Sequence, residues 1–327
     1  MPEPTWRALT PADLPPWHRT VAAADQVDRT EQTPSIEDLT DELSSPQVDP
    51  ATDSIAAVSA DGEVLAAGFA TARPLGGPIR RYDLWGTVHP EHRRQGLGSR
   101  LLAWQLDRAA RRQRDDRTPV EGWAGVGLED HRDDLRHFLQ RAGLVPLRWY
   151  TGLRRPLATP IESAPVPDSI RLVPFDQTRS EQARQVHNHS WADHWGFAPR
   201  PADHWHAWTT GHRNFRADWS FLAVTDADAV IGYVVNFAWE QEWQHKGFSE
   251  GYTELLGVAR DWRGAGVASA LLAASNESFR ASGIEFAALD VDSDNLTGAL
   301  RLYQSLGYLP KSRTQLMAAR LDPAATG

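Results

Sequence analysis

The sequence predicts an α/β fold made twice over: two mixed-sheet α+β domains in tandem, each built around a Gly-rich anion loop. Three observations carry this. The segment Val88-His89-Pro90-Glu91-His92-Arg93-Arg94-Gln95-Gly96-Leu97-Gly98-Ser99 returns as Val258-Ala259-Arg260-Asp261-Trp262-Arg263-Gly264-Ala265-Gly266-Val267-Ala268-Ser269, 170 residues later. Each copy follows a β-like apolar run and precedes a helix start, Leu101-Leu102 or Leu271-Leu272. Each copy is also flanked by further matching segments. A strand–loop–helix junction rich in Gly lets the backbone approach an anion closely, and the helix N-terminus adds positive potential.

Taken in order, each half reads strand, two helices, hairpin, strand, loop, helix, strand, helix, strand. The first opens at Thr5–Leu9, with helices expected near Pro11–Asp25 and Ser35–Leu43. Ser54–Val58 turns at Ala60-Asp61-Gly62 into Val64–Ala70, a hairpin by its apolar runs and Asp/Gly turn. Four prolines within 156–167 read as a semi-extended linker. The second half restarts at Ile170–Pro174, with helices expected at Glu181–Trp195 and Pro201–Thr209 and a hairpin at Ser220–Val235. Phe138–Leu144 matches Leu302–Tyr308. The expected domains are therefore 1–155, a linker at 156–169, and 170–327.

Composition narrows the function. A chain of 327 residues has room for two cores. Cysteine is absent, which excludes disulfides, thiolate catalysis and cysteine–metal sites. The net charge of −9 argues against a nucleic-acid partner, which needs a basic surface. No apolar run is long enough to span a membrane, and Met1–Trp6 has no signal pattern, so a cytoplasmic protein is expected, as monomer or homodimer. Residues 187–212 concentrate His and Trp. No metal-ligand spacing repeats there, so no metal is expected.

Arg93-Arg94-Gln95-Gly96-Leu97-Gly98 and Arg263-Gly264-Ala265-Gly266-Val267-Ala268 both resemble the coenzyme A loop of the GNAT superfamily, Arg/Gln-x-x-Gly-x-Gly/Ala. Asn295, Ala299, Tyr303 and Gly307 resemble its Asn and Ala-x-x-x-Tyr-x-x-x-Gly helix. The chain thus resembles a tandem-domain GNAT N-acetyltransferase. The resemblance implies acetyl-CoA as acyl donor and a small-molecule amine as acceptor. It implies pyrophosphate contacts from Gln95–Ser99 or Ala265–Ser269, with Arg93 and Arg263 adding charge. Val88, Arg94 and Gly264 belong to the same loops. Strands four and five would part around the pantetheine arm, freeing N–H groups at Leu256, Gly257 and Val258, and Asn295 would contact that arm.

The same resemblance puts catalytic carboxylates on these strands, at Glu254 or Asp290, to take the proton of an amine whose ordinary pKa is about 10. Tyr303 stands where many members place the acid that protonates the departing thiolate. Each has a plain reading as well: a core aromatic for Tyr303, a solvated strand residue for Glu254, a helix N-cap for Asn295. Asp292 and Asp294 read as turn residues. Trp191 and Trp195 fall where the family walls its acceptor site, or simply face the sheet. The first half has Leu139 at the place of Tyr303 and no Asn before its last helix; Asp83 on its fourth strand is a possible base without an acid partner. It is expected to be a degenerate lobe, with the chemistry in the second. The alternative is a noncatalytic acyl-CoA-binding or sensing protein. A phosphate-loop nucleotide hydrolase is excluded by the missing Gly-Lys-Ser/Thr.

Overall fold

The computed structural model describes residues 3–30, 33–159, 165–294 and 299–323. It forms two units, Met1–Leu147 with Gln315–Gly327, and Arg148–Thr314.

The first unit runs β1 (Thr5–Arg7), α1 (Leu14–Asp28), α2 (Ile36–Leu43), α3 (Pro50–Asp53), β2 (Ser54–Val58), β3 (Val64–Ala72), β4 (Arg80–Val88), α4 (Leu97–Asp115), β5 (Gly122–Glu129) and α5 (Asp133–Arg141). Local chemistry sets these bounds. Ser35 and Asp38 cap α2 reciprocally, Ser35 Oγ accepting from the Asp38 N–H and Asp38 Oδ2 from the Ser35 N–H. Gly143, at φ +88°, ends the last helix as a left-handed residue. Strands β1 to β4 pair antiparallel in sequence order, and β5 joins β4 in parallel. Trp17 and Val21 of α1 cover one face with Phe69. Leu102 and Ala109 of α4 cover the other with Tyr82, Leu84 and Leu128.

The second unit begins within β6 (Val145–Pro156) and continues β7 (Ile170–Pro174), α6 (Ser180–Ser190), α7 (Ala202–Trp205), β8 (Phe221–Thr225), β9 (Val230–Phe237), α8 (Glu240–Lys246), β10 (Glu250–Val258), α9 (Val267–Ala281), β11 (Phe286–Asp292), α10 (Ala299–Ser305) and β12 (Leu309–Leu321). Its sheet repeats the first: β7 to β10 antiparallel, then β11 parallel to β10. Val186 of α6 packs with Tyr233, Val235 and Leu255 on one face. Leu271 of α9 packs with Val234 and Val258 on the other.

The domain boundaries differ from the expected ones. Residues 150–156 do not close the first unit's sheet. They pair antiparallel with β11, from Tyr150↔Asp292 to Pro156↔Phe286. The place beside β5 in the first unit goes to residues 315–321, whose Leu316 and Ala318 meet Gly125 and whose Met317 enters the core with Tyr82. Each unit's sheet therefore includes a strand taken from the other half of the chain. The two helices expected around the His/Trp segment are also shorter. The first stops at Ser190, and Ala202–Trp205 gives way to a π-helical turn over His206–Thr210. Part of the expected linker, residues 160–164, and Asn295 lie outside the described residues.

Candidate active site

Both Gly-rich loops lead from the end of a fourth strand into a helix. In the second unit Gly264 and Gly266 take φ +80°, and α9 starts directly after Gly266. Helix geometry leaves the first N–H groups of α9 without an acceptor. No described carbonyl accepts from the N–H groups of residues 264–269, while the next one, Ala270 N–H, returns to the Gly266 carbonyl. In the first unit Arg94 (φ +59°) and Gly96 (φ +87°) take the left-handed positions, and the N–H groups of residues 94–99 are left open in the same way. Nothing lies within 4 Å of where a Cβ would sit on Gly96 or Gly264. Each loop thus offers a ring of donors under open space, which fits a pyrophosphate.

The two arginines expected to touch the anion are occupied elsewhere. Arg93 holds Asp28 of α1 with both terminal nitrogens, 2.7 Å each, and donates Nε to the Val88 carbonyl at 3.2 Å. Arg263 donates to the Ser190 carbonyl at the end of α6, 2.7 Å, and to the Val258 carbonyl at 3.4 Å. Their guanidinium groups lash the loop to the strand end and the first helix. The main-chain donors remain for the anion. Arg94 is exposed, and Gln95 reaches back to the Glu91 carbonyl.

Strands four and five part in both units. β10 and β11 pair at Glu250↔Phe286, Gly251↔Ala287 and Tyr252↔Ala288, then separate, though both strands continue. β4 and β5 separate after Asp83↔Gly125. Ala259 N–H is bonded to the Ile231 carbonyl of β9. Strand alternation then turns the N–H groups of Leu256 and Val258 into the gap and that of Gly257 toward β9. Gly257 has a different duty: a Cβ there would collide with the Tyr233 ring and Ser190 Oγ.

One feature separates the units. The β3–β4 ladder is unbroken from Ala66↔Val88 to Ala72↔Tyr82. The β9–β10 ladder jumps from Thr253↔Asn236 to Leu255↔Val235. Glu254 is the extra residue of a β-bulge, and no residue of β4 corresponds to it. Thr253 and Asn236 stand where the first unit has Leu84 and Ala70.

Glu254 is half-buried, and its carboxyl is raised above the ordinary value, first by burial and further by the charge of Asp290; the Arg200 guanidinium opposes this. Asp290 lies two residues past the last β10–β11 pair and accepts a 3.0 Å hydrogen bond from the Tyr252 hydroxyl. Burial, then Asp290 and Glu254, raise the Tyr252 hydroxyl well above its usual range, so it stays a donor. Glu254 and Asp290 are thus electrostatically coupled across the parted strands. Tyr303, on α10, is half-buried beside Tyr308, 6.1 Å between rings, and its hydroxyl bonds to no described residue. Burial alone pushes it up to about 12. Asp292 accepts the Asp294 N–H at 2.9 Å, a local turn, and Asp294 pairs with Arg148 at 3.1 Å.

Trp191 and Trp195 have parted company. Trp191 packs on the α6 face, 5.3 Å from His187 and stacked on His194 at 4.2 Å. Trp195 lies under the Arg148 guanidinium at 5.0 Å. His187 is fully buried, with Nδ1 2.6 Å from the Tyr233 hydroxyl, and desolvation drives its pKa down to about 2, so it is neutral. Among the described residues no three His, Asp or Glu side chains come together as a metal site. In the first unit, Asp83 pairs with Arg73 at 2.5 Å and Arg81 at 3.4 Å, which hold its carboxyl below the usual range. Gly127 occupies the place of Asp290, and Leu139 is buried in the core.

Sequence reasoning missed Arg200, Tyr252 and the Thr253–Asn236 pair. The bulge left no signal, because the loops between strands differ in length and absorb a one-residue insertion.

Family models agree with this geometry. Residues 181–308 match the Acetyltransferase (GNAT) family, and residues 52–143 match an Acetyltransferase (GNAT) domain. A mycothiol acetyltransferase of Thermobispora bispora is 31% identical over 256 residues, covering 76% of this chain and 78% of that protein. The chain belongs to the GNAT acetyltransferases. As a tandem GNAT enzyme it is an acyltransferase that uses acetyl-CoA. A mycothiol acetyltransferase of Actinosynnema mirum is 28% identical and covers 94% of this chain and 96% of its own. A GCN5-related N-acetyltransferase from Sphaerobacter thermophilus shares the fold, with a TM-score of 0.74 at 23% identity over 98% of this chain and 96% of its own. No described helix of this tandem GNAT enzyme is long and apolar enough to cross a membrane.

Proposed function

We propose that the enzyme acetylates the amine of a small molecule and that the chemistry lies in the second unit. The observation that carries this is the bulge at Glu254: the first unit has the cradle and the gap but no residue at that place. Acetyl-CoA supplies the acyl group as an activated thioester. The cradle at 264–269 would hold its pyrophosphate, and Gly96–Ser99 is a second place for one. The N–H groups of Leu256 and Val258 face the gap, where they can donate to an acyl oxygen as negative charge builds on it.

An amine attacks only when neutral, and an alkylammonium holds its proton up to a pKa of about 10. Glu254 would take that proton, directly or through water; its raised pKa makes it a stronger base than an ordinary carboxylate. Asp290, fixed by Tyr252, adds negative charge that draws a cationic acceptor to the same place. The departing thiolate needs a proton in turn. Tyr303, protonated throughout the physiological range, would provide it. Its pKa of about 12 is above that of a thiol in water, but the dry gap raises the thiolate's basicity too, and the difference sets the cost. Trp191 packs against the core, and Trp195 lies under the Arg148 guanidinium, which Asp294 holds at 3.1 Å.

The amine acceptor of the mycothiol acetyltransferases is the first to assay, by release of the coenzyme thiol. Glu254→Gln should lower kcat/KM by roughly 10²–10⁴-fold, the usual worth of a general base. Because that pKa is raised, wild-type kcat/KM should climb with pH through a midpoint above the ordinary carboxylate range, and the climb should vanish in the variant. Wild-type rates and pH dependence in Glu254→Gln would refute the assignment.

A further inference from the structure

Thr253 and Asn236 form the last ladder pair before the bulge and are buried, at 5% and 0% exposure. A buried amide must satisfy every hydrogen-bonding group it carries. Asn236 does so. Its Oδ1 accepts from Thr253 Oγ1 at 2.8 Å, and its Nδ2 donates to Ser275 Oγ of α9 at 2.8 Å and to the Trp219 carbonyl at 2.5 Å. Its main-chain N–H donates to Ser220 Oγ at 2.9 Å, and its carbonyl accepts from Arg216 N–H, also at 2.9 Å. The residue is fixed from five directions, and Thr253 is tied to it.

The first unit supplies the contrast. Leu84 and Ala70 fill the same two positions with apolar contacts only, and its ladder has no bulge. Moving a one-residue insertion along a strand turns the intervening side chains to the opposite face, and in an apolar ladder only their burial resists that. A polar pair cannot slide without leaving an amide and a hydroxyl unsatisfied in the core, a cost that a hydrocarbon pair does not carry. The pair therefore pins the insertion at the next residue, and that residue is Glu254.

We propose that Asn236, Thr253 and Ser275 are positioning residues for Glu254, locking the register that sets its carboxylate opposite Asp290. This rests on the reading of Glu254 as the base. None of the three touches the gap; they act through the strand.

Thr253→Val keeps the shape and removes the donor, and Thr253→Ser restores it. Ser275→Ala, a milder cut, takes one acceptor from Asn236 and serves if the valine variant does not fold. The readouts are the pH profile of kcat/KM, the KM for acetyl-CoA, and the β9–β10 register in a crystal structure. Thr253→Val should lower kcat by about tenfold, less than the roughly 10²–10⁴-fold that outright loss of the base would cost. It should move the pH midpoint by about half a unit or more as the surroundings of Glu254 change. The KM for acetyl-CoA should hold, and Thr253→Ser should stay within about threefold of wild type, far below the loss of a general base. A variant that melts earlier but keeps the wild-type pH profile and the jump after Thr253 overturns the proposal. If Glu254→Gln is fully active, the base reading fails by itself. The register in Thr253→Val then decides the pinning claim alone: a bulge still at residue 254 refutes it, and a bulge moved elsewhere upholds it.

Discussion

The two units share a scaffold, but three side chains proposed to handle protons in the second have no counterpart in the first. Each has strands that part at the equivalent pair, Asp83↔Gly125 or Tyr252↔Ala288, and each has a loop with open N–H groups. The second adds an inserted Glu254, Asp290 where the first has Gly127, and Tyr303 where the first has Leu139. On the proposed reading, the comparison teaches that the acyl-donor cradle and the proton-handling groups are separable. The cradle is backbone geometry, set by left-handed residues and a helix start. It tolerates Arg94 at φ +59° in place of Gly264, provided the turn is kept. The proton-handling groups are side chains at single positions, and one substitution or one lost insertion removes them. Asp83 in the first unit illustrates this: a strand carboxylate on the matching face is neutralised by Arg73 and Arg81 and has no Tyr partner.

The comparison can be broken by making the second unit more like the first. Tyr303→Phe removes one hydroxyl and leaves the ring to pack beside Tyr308. It should lower kcat by about 10²–10⁴-fold with little change in acetyl-CoA affinity, because a general acid acts in the transition state. A less basic amine should not rescue it, since the defect is on the thiol side. Turnover within about threefold of wild type, below the range for a general acid, would reduce Tyr303 to a core aromatic and leave water as the acid.

A smaller effect sharpens the role of the loop arginines. Arg93→Ala should lower stability by about 1–3 kcal/mol, since it removes a bidentate, half-buried pair, although Arg132 still holds Asp28 at 2.9 Å. It should leave turnover unchanged. Arg263→Ala loosens the working cradle and should raise the KM for acetyl-CoA several-fold, with kcat kept. Thermal denaturation and steady-state kinetics read the two. Equal kinetic losses in both variants would contradict a division of labour between the units.

Much of this was legible in the sequence because it rests on backbone-level signals. Gly spacing, an apolar run before it and paired leucines after it define strand, loop and helix with no tertiary help, and those elements formed where expected. The strand exchange was not legible. Residues 150–156 have the composition of a closing strand for either sheet, and the choice is made by partners 130 to 142 residues away. The end of the helix at Ser190 was missed because Trp191 continues the aromatic periodicity while packing from outside the helix. The anion role of Arg93 and Arg263 is implied by the family resemblance, whereas their partners here, Asp28 and the Ser190 carbonyl, lie far off in sequence. Glu254 was chosen for its strand, but its insertion shows only when the two ladders are laid side by side.

The central claim is that catalysis belongs to the second unit while the first keeps only the cradle. A matched pair of blocks tests it most directly. Gly96→Glu and Gly266→Glu each put a bulky anion at the left-handed residue that opens the helix, where it meets the pyrophosphate by clash and by charge. After circular dichroism shows both variants folded, thiol release is followed with a competent amine. The account predicts that Gly266→Glu abolishes turnover and Gly96→Glu leaves it near wild type. Loss of turnover in Gly96→Glu with retention in Gly266→Glu would contradict it.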